Sequence, residues 1–267
     1  MHLLATLSTA SFYQTCTVFL GFRFLRFFAI YPAIFLILYL AREHIAKYRI
    51  QATHPSKKKI TLELSLSLSS FICFGLSTIL GLSFYKMGWY HFYFQWNQLG
   101  TPYFFLSILL ILVLHEIYHY AYHRFMHTNA WFYRNVHSVH HKFSNPTIFT
   151  SYAFHPIEAL LHPMAFVIAP LIIPVYIFVP VIALLISEFF NIMGHMGYEW
   201  MPIKLTNKGL LRFLNKATYH NHHHSHGGRK NYSIYTTVLD HLFNTHSEKS
   251  NLDLERVLAQ REKDTTK

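Results

Sequence analysis

The chain has 267 residues, room for one or two domains, and is 52% hydrophobic, 18% aromatic and only 13% charged, against a charged share of roughly 25% in soluble domains. Its apolar residues run in long blocks rather than in an amphipathic pattern, which excludes an ordinary soluble globule and points to an integral membrane protein. The net charge of +11 does not argue for nucleic acid, because the basic residues sit in short loops beside the apolar blocks; no nucleic-acid partner is expected.

In chain order, the start carries no basic n-region or clear cleavage site, so no removable signal is expected. Phe27–Ala41, bounded by Arg26 and Arg42, is short for a crossing. Phe22–Leu25 completes it if Arg23 and Arg26 snorkel to the interface. The loop carrying Arg42, Lys47, Arg49 and Lys57 to Lys59 is cytoplasmic by the positive-inside rule. Leu64–Phe84 has no charge over 21 residues, enough to span roughly 30 Å of hydrocarbon. Tyr85–Gly100, with Trp89, Tyr90, Tyr93 and Trp96, suits the far interface. Thr101–Leu114 brings the chain back and runs into a stripe of histidines. Ile157–Asn191 is apolar except for Glu158, His162 and Glu188 and is interrupted by Pro170, Pro174 and Pro180; it reads as a helical hairpin that dips into or crosses the bilayer. From Ser247 the chain is polar, a short solvated helix with a frayed end. Cys16 and Cys73 lie in apolar stretches and supply neither a disulfide framework nor a metal motif.

These elements predict an all-α integral membrane protein with about four transmembrane helices or helical hairpins and a cytoplasmic histidine-rich helical cap holding a dinuclear metal site. Residues 1–100 form spans and loops, 101–246 carry the histidine groups (the stretch that the family resemblance described below implies is a catalytic domain), and 247–267 form a polar tail.

Fifteen of the 21 histidines fall between His115 and His226. His123 and His127 read HxxxH; His137, His140 and His141 read HxxHH; His220, His223 and His224 read HxxHH again. On a helix, residues three and four apart share a face, and adjacent ones diverge by about 100°. Each HxxHH therefore reaches toward two ions at once. Eight nitrogens before His195 is counted exceed the three or four that one zinc needs, which argues for a metal pair. Nitrogen ligation without thiolate leaves iron, copper and zinc open, and redox work would favour iron.

The ordered run His123…His127, His137…His141, Ala153-Phe-His155-Pro-Ile-Glu158, Gly194-His195-Met-Gly197 and His220…His224 resembles the fatty acid hydroxylase and sterol desaturase superfamily of membrane di-iron oxygenases, nearest its sterol desaturase branch. Asn145-Pro-Thr and the later Asn231-Tyr232…Leu239-Asp240…Leu242-Phe243 carry the same likeness, which covers about residues 100–246. It implies two non-haem irons, O₂ as co-substrate, and hydroxylation or desaturation of an unactivated C–H bond of a membrane lipid of sterol or fatty acyl type. It implies His123, His127, His137, His140, His141, His195, His220, His223 and His224 as ligands. Where some relatives have a further histidine, this chain has Asn191, a weak ligand or a water holder, so the ligand count stays open. With no nucleotide, flavin or haem motif, electrons come from an external donor, a small electron-transfer protein or reductase that the basic cytoplasmic surface would dock. A bacterial inner membrane and an endoplasmic reticulum fit equally.

Two other readings compete. His115-Glu116-Ile-Tyr-His119 is literally HExxH, the signature of a zinc metalloprotease with Glu116 as base; it leaves both HxxHH groups unexplained. A transport protein would carry ionisable residues through several spans, and the spans before residue 114 carry almost none. In the oxygenase reading His115, Glu116 and His119 support the ligands, as does His155. Glu158, Glu188, Glu199 and Asp240 are each placed to orient an imidazole. His222 points away from the metals, and His162 is undecided.

Overall fold

In hydrocarbon a backbone amide finds no partner but its own chain, so long apolar runs close into helices. The computed structural model describes residues 11–202, 206 and 208–265; among them the chain is all-α apart from one pair of two-residue strands. Three helical stretches are long and apolar enough to cross a membrane: Phe12–Leu40, Lys57–Lys86 and Thr101–Thr128. The first is α1 (Phe12–Leu25), a π-helical turn at Arg26–Ile30, and α2 (Tyr31–Leu40). Ser11 and Gln14 close a capping box at its start. It thus begins well before Phe22, and the expected snorkelling does not occur. Arg26 turns inward, 4% exposed, to pair with Glu188 at 2.6 Å, and Arg23 donates to Thr78. A charge in mid-span is held by a partner across the bundle rather than by the interface.

Helix α3 (Lys57–Lys86) starts on a Ser56 cap. Helix α4 (Thr101–Thr128) starts after Gly100, whose φ of 84° lies in the left-handed region, with Pro102 in its first turn. The membrane-length apolar segment and the His115–His127 stripe are one unbroken helix. Short α5 (Ala130–Asn135) and two 3₁₀ segments, His137–Lys142 and Ile148–Tyr152, follow.

The proline-interrupted block is indeed a hairpin: α6 (Pro156–Leu161) and α7 (Met164–Ile172) descend, and α8 (Val179–His195) returns. Its turn holds β2 (Val175–Tyr176), which pairs in parallel with β1 (Phe92–Tyr93) from the aromatic loop. His91 N–H donates to Pro170 O, and the Tyr90 and Tyr103 hydroxyls to the carbonyls of Val167 and Pro174. The hairpin turn therefore lies level with the loop joining α3 to α4, so the hairpin reaches as deep as those helices do. Helix α4 packs on α7 and α8, and α3 on α6 and on Ile148–Tyr152.

Past α8 the chain forms α9 (Ala217–Ser225), α10 (Val238–Leu242) and α11 (Glu248–Thr265). The C-terminal helix is longer and better anchored than its polar composition suggests. Leu254 and Val257 are buried, each burial worth about 1.5–3 kcal/mol. Arg256 donates to Ile50 O and Arg261 to Met201 O.

Candidate metal centre

The stripe on α4, the 3₁₀ turn at His137–Lys142, the C-terminus of α8 and the whole of α9 meet at one end of the bundle. They gather nine histidines into two groups, His123, His127, His137, His141 and His223 in one and His140, His195, His220 and His224 in the other; within each, one ring nitrogen per residue lies within 4.8 Å of all the others. The division follows spacing. In both HxxHH motifs the first and last residues (His137 and His141, His220 and His224) enter one group, and the residue between (His140, His223) enters the other. On α9 one turn brings His220 and His224 within about 40° of each other, and His223 lies about 60° to the other side of His220.

The first HxxHH does not sit on an α-helix as its spacing suggested. Its 3₁₀ turn follows Val136, whose φ of −120° and ψ of −69° interrupt the helical path. The two HxxHH segments still interdigitate: His141 and His224 stack at 4.8 Å, and His140 meets His224 at 4.6 Å between ring centroids.

The ring orientations are fixed from outside. Nδ1 of His123 faces Tyr232 O at 2.9 Å, that of His223 faces Lys230 O at 2.6 Å, that of His140 faces Ala153 O at 3.3 Å, and that of His195 faces Asn191 O at 2.8 Å. A carbonyl only accepts, so each of these Nδ1 atoms carries the hydrogen and each Nε2 presents a lone pair. His137 Nδ1 lies 2.8 Å from the buried Glu158 carboxyl, the carboxylate–histidine pairing common behind metals. Inside the groups Nε2 meets Nε2: His127 with His137 at 2.9 Å and with His223 at 3.1 Å, His223 with His141 at 3.1 Å, His195 with His220 at 2.9 Å and with His140 at 3.4 Å. His140 and His195 both carry their hydrogen on Nδ1, so their Nε2 lone pairs face each other and repel unless a cation lies between them; in the other contacts the tautomer decides which ring donates. Burial, reinforced by neighbouring imidazoles, pushes the pKa of His137, His140, His141, His220 and His224 well below the ordinary histidine range, and burial does the same to His223. Protons are therefore unfavourable, and neutral imidazoles converging on two points fit two metal ions.

A cavity of about 30 Å³ touches both groups, lined by His123, His137, His140, His195, His220 and Asn191 among others. Asn191 faces it, but its amide donates to Ser151 O. The Asn191 backbone carbonyl also orients His195.

The HExxH residues stand apart, and neither His115 nor His119 joins a group. Glu116 is consumed by the N–H groups of Ile234, Tyr235 and Thr236 and by the Thr236 hydroxyl, which leaves no lone pair aimed at a substrate water. His115 Nδ1 pairs with the Tyr235 hydroxyl. Asp240 likewise takes the N–H groups of Tyr232 and Ser233 and the Thr245 hydroxyl. Glu116 and Asp240 thus clamp the 232–236 segment whose Tyr232 carbonyl orients His123; neither touches a gathered imidazole. His119 packs against His123 at 5.1 Å and against His162 at 5.8 Å, and His162 bonds the Tyr122 hydroxyl.

Three residues differ from their expected roles. His155 caps α6 by accepting from Ile157 N–H and supports no ligand. Glu188 neutralises Arg26, and Glu199 holds Thr218 at the start of α9; neither orients an imidazole. His222 points away, as its angle on the helix requires, and bonds Asp253 and Ser247 at the base of α11. The carbonyls of Ala153, Asn191, Lys230 and Tyr232 have no signature in sequence, because every residue has a carbonyl.

A family model described as fatty acid hydroxylase matches residues 108–245. A putative methylsterol monooxygenase of Dictyostelium discoideum is 30% identical over 146 residues, 55% of this chain and 53% of that protein. A very-long-chain aldehyde decarbonylase of Oryza sativa subsp. japonica is 30% identical over 165 residues, 60% of this chain and 58% of that protein. A methylsterol monooxygenase of Arabidopsis thaliana is 29% identical over 153 residues, covering 57% and 54%. The chain spans about half the length of the curated relatives it matches. No solved structure matches it.

Proposed function

We propose, from the premise that this chain belongs to the fatty acid hydroxylase family, that it is a membrane lipid oxygenase whose two histidine groups hold two irons. The observation that carries this reading is the convergence of buried ring nitrogens into two adjoining groups, with four of the nine histidines turning their hydrogens outward to carbonyls. Nitrogen-only donors suit iron, copper or zinc, and of these zinc has no redox chemistry of its own. Bound irons would supply activation of O₂. In hydroxylation one oxygen atom enters a C–H bond and the other leaves as water, with two electrons and two protons from an external donor. In desaturation the same inputs, with two hydrogens from the lipid, leave as two waters and an alkene.

The chain's own residues do the rest. His123, His127, His137, His141 and His223 would hold one ion and His140, His195, His220 and His224 the other. Glu158 and the four carbonyls fix the rings, while Phe154, Phe190 and Trp200 help close the cavity against water. The catalytic unit is 101–246. Arg42, Lys47, Arg49 and Lys57 to Lys59, on the side where the histidines gather, would receive an acidic electron carrier. By the charge of that loop this side is cytoplasmic.

Metal analysis of the detergent-purified protein, with oxygen uptake on a lipid extract, tests this. Two irons per chain, cut sharply by His140→Ala and kept by His115→Ala, are expected. A single zinc, lost with His115→Ala and indifferent to His140→Ala, would overturn the reading.

A further inference from the structure

The back of α9 carries a third group of metal-binding side chains, turned away from the nine-histidine centre. His222, His226 and Asp253 each bring one ligand atom within 4.8 Å of the other two. His222 and His226 stand one turn apart, and His226 N–H closes that turn on His222 O at 3.0 Å, so both rings leave the helix on the same side. The rings lie parallel with 4.0 Å between centroids. Asp253 reaches them from the second turn of α11, its Oδ2 2.7 Å from His222 Nδ1.

Two serines receive the ring hydrogens. The Ser225 hydroxyl donates to Asn221 O at 2.9 Å, so its oxygen accepts from His226 Nδ1 at 2.8 Å. That arrangement leaves the lone pair of the His226 ring on Nε2. On the other ring the Ser247 oxygen lies 3.2 Å from His222 Nε2. His222 therefore has an acceptor for its hydrogen on either nitrogen, Asp253 at Nδ1 and Ser247 at Nε2. Moving the hydrogen to Nε2 frees Nδ1 for an ion, and a far nitrogen held in this way is the ordinary state of a metal-ligating histidine.

Charge and exposure also favour a cation. The C-terminus of α9, with its partial negative charge, ends at His226. Arg256 stands 3.9 Å from Asp253 Oδ1 and leaves Oδ2 turned toward the histidines. His222 is buried, Asp253 half-buried and His226 exposed, so water reaches the site.

We propose that His222, His226 and Asp253 form a zinc site separate from the nine-histidine centre, tying α11 to the back of the helix that carries His220, His223 and His224. The ion takes Nδ1 of His222, Nε2 of His226, Oδ2 of Asp253 and a water, the open tetrahedral set usual for zinc. The exposed His226 ring turns out of the stack to reach it. Without zinc, the hydrogen bond between His222 and Asp253 holds the same two helices together. The site depends neither on the metal in the nine-histidine centre nor on the reaction run there.

The test counts bound zinc and iron by mass spectrometry on the full-length protein in detergent, equilibrated with zinc and then freed of unbound metal. His226→Ala and Asp253→Asn are measured beside it; Asp253→Asn keeps an acceptor for His222 and so spares the α11 anchor. Wild type is expected to hold one zinc more per chain than either variant, with the metal of the nine-histidine centre equal in all three. Loss of the His226 ligand should weaken that zinc at least about a hundredfold, the upper end of what removing a mere support of a ligand costs. Added zinc should also raise the melting temperature of wild type more than that of His226→Ala, since it binds the folded chain. Equal zinc content in wild type and either variant, or an equal rise in melting temperature, would overturn the proposal.

Discussion

An imidazole has two nitrogens, and only a ring whose hydrogen is held on one can offer a lone pair from the other. Four of the gathered histidines have that choice made for them by backbone carbonyls, and His137 is oriented by Glu158. Packing around the rings is correspondingly tight. Gly228 has φ of 66°, and a Cβ there would lie 2.2 Å from His127 Cε1, 2.8 Å from His127 Nδ1 and 2.9 Å from His141 Cε1. The positive φ alone disfavours any other residue, and the collision falls on two rings of one group. Gly228→Ala is expected to lower the occupancy of the five-histidine group by at least about tenfold, the range seen when the supports of metal ligands are disturbed. Metal titration of the variant, with Gly227→Ala as the comparison, checks this. Gly227 has open space around it and a φ of 81°, so it separates backbone strain from the ring collision. Equal losses in both variants would assign the effect to the turn.

The elements show what was legible in sequence and what was not. The spacing of His123, His127, His137, His140, His141, His220, His223 and His224 is a local property, and all of these do converge. His195 lacks a partner at helical spacing and was found through its family likeness. The identity of each supporting partner depends on tertiary approach: Glu158 lies 21 residues from His137, and Tyr232 lies 109 from His123. The inward turn of Arg26 was equally hidden, because Glu188 is remote in sequence. Composition misled most at α11, whose polar face conceals Leu254 and Val257 and a bond network to α9. His222 bonds Asp253 at 2.7 Å and Ser247 at 3.2 Å, so it anchors α11 on the back of the helix that carries His220, His223 and His224. His222→Ala is expected to destabilise the protein by about 1–2 kcal/mol, the ordinary cost of leaving a buried partner unsatisfied with a discount for the partly exposed Asp253. Thermal unfolding and metal content measured together decide it. A fall in melting temperature with metal retained fits an anchoring role, and loss of metal at unchanged stability would make His222 a ligand.

At the scale of the molecule, folding brings nine neutral imidazoles into one buried region, and pH and metal act on it together. For His137, His140, His141, His220, His223 and His224 the folded state holds the pKa well below the ordinary value of 6.5. The unfolded chain therefore binds more protons than the folded one once pH falls below that value. Stability contributed by these groups is complete above it and declines as pH drops. Several groups titrate together, so the decline is steeper than the roughly 1.4 kcal/mol per pH unit of one site. Metal binds the same lone pairs in the folded state and opposes the loss. Chelator-stripped protein is thus expected to keep a level melting temperature from pH 8 to about 6.5 and to lose it steeply toward pH 5, given the ordinary histidine value. Metal-loaded protein should melt higher throughout and begin its decline at lower pH. Scanning calorimetry on both forms at constant ionic strength makes the comparison. A stripped protein whose stability is flat down to pH 5 would show that the imidazoles accept protons without strain, and the case for two cation sites built on neutral, converging imidazoles would fall with it.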